Sequence, residues 1–120
     1  MSRKKSIKYT PFKLWESSSP NGYERRYIRL SNTQMVSKAM KSLSPSAFRV
    51  YVNMRLESAG KMEFQFPFHK YRSYMSRPTF IKAVKELEEK GFIETIEHNA
   101  NLRKANKYRF SDAWKQYIPP

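Results

Sequence analysis

The sequence predicts an α+β fold: a body of helices, one short strand and a C-terminal two-stranded hairpin. Three observations predict it. Apolar residues recur at helical spacing from Met35 to Ala59 and again from Phe80 to Leu87. The period changes to two at Met62, Phe64 and Phe66, and again at Tyr108 and Phe110. Each change falls at a cap or a turn former: Ser44-Pro45, Gly60, Ser76-Arg77-Pro78 and Gly91.

The chain has 120 residues, a length that suits one domain, and 39% of them are apolar, enough for a core. Residues 1–30 read as a basic N-terminal arm packed on the domain, and residues 31–120 as the domain itself. In the arm, Ile7, Tyr9, Phe12, Leu14 and Trp15 are too apolar for a free tail, and Pro11 interrupts regular structure. The turn formers Ser17 to Gly22 follow, and Tyr23 to Leu30 then reads as a strand.

Thr33 is the expected N-cap of a short helix from Gln34 to Ser42, with Met35, Val36, Ala39, Met40 and Leu43 on its apolar side. Ser44 caps a second helix. Pro45 stands at its first position, where a missing amide hydrogen costs nothing. Its apolar face is read as Ala47, Phe48, Tyr51, Val52, Met54 and Ala59, and Gly60 ends it. Met62 to Phe66 is a strand buried on one side and stopped by Pro67, and Phe68 to Met75 reads as a short helix. Ser76 caps the next helix, whose stripe is Phe80, Ala83, Val84 and Leu87, and Gly91 supplies the left-handed residue that closes it. Phe92 to Glu97 is a strand, Asn99-Ala100-Asn101 a turn, and Lys107 to Phe110 the returning strand. Trp114, Tyr117 and Ile118 are expected to fold back over the core.

Charge sets the expected partner. The chain carries 24 Lys and Arg against 10 Asp and Glu, a net +14, and the excess is concentrated in the first two thirds. So strong a charge on so small a body attracts a polyanion, of which nucleic acid is the commonest. Several classes are disfavoured. Without cysteine there is no disulfide, thiol nucleophile or thiolate metal site, and with only His69 and His98 there is no paired-histidine metal motif. The three glycines are each explained by a turn or helix end, so no phosphate-cradling loop is expected. No catalytic residue, metal or cofactor is therefore assigned, and the protein is read as non-enzymatic. Lacking a membrane-length apolar run or a secretion signal, it is expected in the cytoplasm.

The order helix, strand, short helix, capped helix and two-stranded hairpin resembles the winged helix-turn-helix superfamily. Residues Ser76 to Glu94 carry the likeness: the helix ends in Leu87, then Gly91, then Phe92-Ile93, as at the turn from recognition helix into wing. Leu43-Ser44-Pro45-Ser46-Ala47, Gly91-Phe92-Ile93-Glu94 and Asn106-Lys107-Tyr108-Arg109-Phe110-Ser111 are also similar to small winged-helix proteins of Gram-positive conjugative and plasmid elements. Some of those proteins assist relaxosome assembly at a transfer origin, and others assist replication or regulation. The resemblance implies a site-specific accessory protein that binds double-stranded DNA, with relaxosome or replication proteins as further partners.

In a helix-turn-helix the N-terminal residues of the recognition helix reach base edges, which here singles out Ser76, Arg77, Thr79 and Lys82. Arg77 is suited to a guanine edge, Thr79 to a base or a thymine methyl, and Ser76 and Lys82 to phosphate. Glu86, Glu88 and Glu89 must point away, pairing with Lys82, Lys85 and Lys90. The hairpin offers Asn99, Asn101, Arg103, Lys104 and Lys107, with Arg103 the best residue for a groove. Arg72 and Lys70 of the short helix, and Arg3, Lys4 and Lys5 of the arm, are additional contacts, while Arg25, Arg26 and Arg29 suit an exposed strand face equally well. Two other readings stay open: an RNA-binding module and a winged-helix protein-interaction domain. A homodimer on two half-sites fits the duplex reading.

Overall fold

Ser44 and Ser76 start the two helices that organise the molecule. In the computed structural model, which describes residues 28–99 and 104–120, each serine adopts extended backbone and its hydroxyl accepts an amide hydrogen bond three residues on, from Ala47 and Thr79 respectively. The arm's residues 1–27 and the hairpin-tip residues Asn101 and Arg103 lie outside the described residues. Among those described, the fold is mixed α+β, with four helices and a three-stranded antiparallel sheet: α1 (Asn32–Met35), α2 (Lys38–Lys41), α3 (Pro45–Ser58), β1 (Glu63–Gln65), α4 (Arg77–Glu89), β2 (Ile93–Glu97) and β3 (Lys107–Phe110).

The expected helix Gln34–Ser42 is two separate turns, and its cap is Ser31 rather than Thr33. Ser37 breaks it. Its hydroxyl donates to the Gln34 carbonyl at 2.7 Å and accepts from the Met40 amide at 3.1 Å, so one side chain ends α1 and caps α2. Serine competes well with the backbone ladder inside a helix, and here it wins. Met35 and Val36 consequently stay 38% and 63% exposed, while Ala39 and Met40 are buried. Gln34 is buried instead, donating to the Tyr51 hydroxyl at 3.0 Å.

Ala47, Val50, Tyr51 and Met54 of α3 face Phe80, Ala83 and Leu87 of α4, and the inner side of the sheet closes this core with Phe64, Ile93 and Tyr108. Val50, absent from the expected face, is fully buried, whereas Ala59 is exposed at the left-handed end of the helix. The Phe68–Met75 helix is not formed. A 3-10 turn, Phe68–Lys70, is followed by further turns that bury Tyr71, whose ring stacks on Phe80 at 3.8 Å between centroids. Aromatic stacking fixes that connection better than helix propensity does.

The hairpin strands do not stand alone. β1 joins them, giving the order β1-β3-β2, with Phe64 opposite Tyr108 and Thr95 opposite Tyr108 on the other side. Gly91 has φ +87°, and an added Cβ would lie 2.5 Å from the backbone of Ala113 and Trp114. Only glycine permits both the turn and the approach of the C-terminal 3-10 turn Ala113–Gln116, which seats Trp114 in the core. Ile118, expected to pack there, is 82% exposed.

Candidate nucleic-acid interface

α4 divides its charge by face. Phe80, Ala83 and Leu87 point inward, so Pro78, Ile81, Lys82, Lys85 and Glu89, on the opposite side, are exposed. The other two glutamates are engaged. Glu86 accepts from the Ser44 amide and hydroxyl at 2.8 and 2.7 Å and from Lys90 Nζ at 3.1 Å, tying α4 to the start of α3. Burial pushes its carboxyl up, but the bonds from Ser44 and Lys90 outweigh burial and hold it below the ordinary carboxylate range. Glu88 accepts from the Thr95 hydroxyl. Both therefore turn from the outer face, though toward Ser44, Lys90 and Thr95 and not toward Lys82 or Lys85. Among the described residues those two lysines have no carboxylate within 4.0 Å.

At the start of α4, Ser76 donates to the Thr79 hydroxyl at 3.0 Å as well as capping the helix. The Arg77 guanidinium lies over the Phe68 ring at 4.6 Å. Stacking occupies the flat face of a guanidinium and leaves its in-plane N–H donors available. Arg77 also acts on Tyr71, whose hydroxyl is pushed up by burial and drawn partly back by the nearby cation.

The hairpin residues have divergent surroundings. Asn99 is only 7% exposed: its amide N–H donates to the Asn106 side chain at 2.7 Å and its Nδ2 to the Ala105 carbonyl at 3.0 Å. It shapes the hairpin rather than presenting a free amide. Lys104 is exposed and has no carboxylate partner among the described residues. Lys107 is on the outer sheet face, 3.5 Å from Glu63, beside Arg109, which bonds Glu94 at 2.7 Å. Lys70 pairs with Glu57 at 3.0 Å, and Arg72 is exposed on the turn after it. Arg29 is described, and its carbonyl accepts from Arg55 at 2.6 Å.

An open cleft of about 500 Å³ separates α4 from the base of the hairpin. Its floor is apolar, made of Phe66, Tyr71, Phe80, Val84 and Tyr108, and burial pushes the Tyr108 hydroxyl up to about 12. Its rim carries Arg77, Ile81 and Lys85 from α4 and His98, Lys104 and Asn106 from the hairpin. Arg77 and Lys104, singled out by the sequence, thus face one space. Ser76, Thr79, Lys82, Arg72 and Lys107 are not among its lining residues. Sequence reasoning missed Lys85 and His98. For Lys85 a signal existed, because Arg77, Ile81 and Lys85 are spaced by four and share one helical stripe.

Among the described residues no group of three or more His, Asp or Glu is arranged to hold a metal ion, and no helix is long and apolar enough to cross a membrane. No family model, curated protein or solved structure matches the chain.

Proposed function

We propose that this chain is a winged helix-turn-helix protein that binds double-stranded DNA site-specifically, with α4 as the recognition helix and the β2–β3 hairpin as the wing. The element order and the pairing of β1 with the hairpin support that reading of the fold. One observation carries the function: Arg77, Lys82, Lys85 and Lys104 present cations without carboxylate partners among the described residues, while Glu86 and Glu88 on the same helix are bonded elsewhere. A duplex meets this side of the protein as a positive surface, and none of the described residues covers the outer edge of α4, which suits a major groove. Phe68 holds Arg77 by its flat face, so a bidentate bond to a guanine costs little side-chain entropy. An accessory role in conjugative transfer, replication or transcription regulation follows from the sequence resemblance alone.

An RNA-binding sheet is less well supported. The sheet aromatics Phe64, Tyr108 and Phe110 pack into or against the core, which leaves no stacking platform on the described outer face. Fluorescence anisotropy with a duplex DNA and a single-stranded RNA of the same length, each titrated with salt, tests the proposal. Tighter duplex binding with a steep salt dependence is expected. Preference for the RNA contradicts it, and duplex binding indifferent to salt favours a protein-interaction role.

A further inference from the structure

We infer that the cleft between α4 and the hairpin seats one sugar-phosphate strand of the duplex, and that Lys85 and His98, on opposite walls, both contact its phosphates. The inference rests on the duplex-binding reading and adds two residues to it. Three features of the cleft suit such a strand. Arg77 and Lys85 stand on the helix wall, and Lys104 and His98 on the hairpin wall, so the strand meets positive groups from both sides. Ile81, 58% exposed, gives the helix wall an apolar side chain against which deoxyribose packs. The cleft is open and not enclosed, as a continuous strand requires. Glu88, the one lining carboxylate among the described residues, keeps its charge while accepting from the Thr95 hydroxyl, so the phosphates must run nearer Arg77, Lys85 and Lys104 than Glu88.

His98 makes this contact sensitive to pH. Among the described residues, the charged and titratable groups that share its cleft or strand are Arg77, Lys85 and Glu88 of α4, Lys104 of the hairpin, Tyr71 of the connection before α4, Tyr108 of β3, and its own strand neighbour Glu97. Neither tyrosine carries charge near neutrality, since burial pushes both hydroxyls up. A phosphate brought against His98 favours the imidazolium, so binding takes up a proton and strengthens as the pH falls.

The test is anisotropy of a fluorescent mixed-sequence DNA duplex, as a function of salt, at about pH 5.5 and about pH 8. Wild type is expected to bind roughly three- to fivefold more tightly at the lower pH, the scale of one exposed ion pair. His98→Gln should lose that gain, and His69→Gln, which alters the other histidine, should keep it. Lys85→Ala should flatten the logarithmic salt slope by about 0.9 at both pH values, as one fewer neutralised phosphate requires. If His98→Gln keeps the full pH response, or Lys85→Ala the full slope, the strand does not lie in this cleft. Failure of the wild type to bind duplex at either pH would instead remove the duplex reading itself.

Discussion

Two faces of this protein are rich in charge, and they differ in what the charge is doing. On the outer side of the sheet, Lys107 stands by Glu63, and Arg109 lies between Glu63 and Glu94. Cross-strand register brings opposite charges together there and cancels them. On the α4 side, Arg77, Lys82, Lys85 and Lys104 have no such partners among the described residues, while the carboxylates of Glu86 and Glu88 are engaged in holding elements together. A net charge of +14 says that a polyanion is attracted. In the proposed reading that partner meets the α4 side, although Lys38, Lys41, Lys61 and Arg72 also lack a carboxylate within 4.0 Å among the described residues.

The comparison can be broken most severely by removing the core beneath both faces. Leu87 is fully buried between α3, α4 and the sheet, and Leu87→Ala is expected to cost about 2–5 kcal/mol. Thermal melting should show the loss, and DNA binding should disappear only as the protein unfolds. Next comes the unpaired face: Lys82→Ala, Lys85→Ala and Lys104→Ala combined should leave the melting temperature nearly unchanged. The salt slope of duplex binding should fall by about 0.9 for every phosphate that one of these lysines neutralises in the wild type. Arg77→Ala alone should weaken a preferred site by about 1–3 kcal/mol if it reads a base.

Glu86→Gln sharpens the distinction between a charge that binds and a charge that builds. It should destabilise the protein by about 1 kcal/mol at neutral pH, because the Ser44 and Lys90 donors lose their anionic acceptor. The sign with pH is fixed by a carboxyl held below its usual range. Its stabilisation is present above the unfolded-state value of 4.5 and is lost as pH falls through the lower folded value. Melts of wild type and variant should therefore converge in acid. The smallest effect is expected on the paired face, where Lys107→Ala and Arg109→Ala should each leave duplex affinity within about twofold of wild type. A larger loss would place the sheet in the interface.

Features governed by neighbours in sequence were legible. The caps Ser44 and Ser76, the turn at Gly91 and the stripe Phe80, Ala83 and Leu87 are read from a few adjacent residues, and the structure has them all. Features decided by competition or distance were not. Ser37 looks like an ordinary helical residue until its hydroxyl takes the Gln34 carbonyl. The pairing of β1 with β3, and the bond between Glu86 and Ser44 across 42 positions, have no local signature. For the same reason Asn99 read as a free amide and Lys85 as a surface charge. The inward amide of the one and the shared cleft of the other appear only when the hairpin is set against α4. Arg77 and Lys104 line that same cleft, whereas Lys82 does not, and Arg103, the hairpin residue the sequence favoured, lies outside the described residues.

Amide chemical-shift mapping on titration with duplex DNA tests the central claim most directly. Perturbation concentrated on residues 76–85, His98 and residues 104–106, with Glu63, Lys107 and Arg109 unmoved, is the outcome this account requires. Shifts centred on the outer sheet face, with the α4 cleft silent, would contradict it.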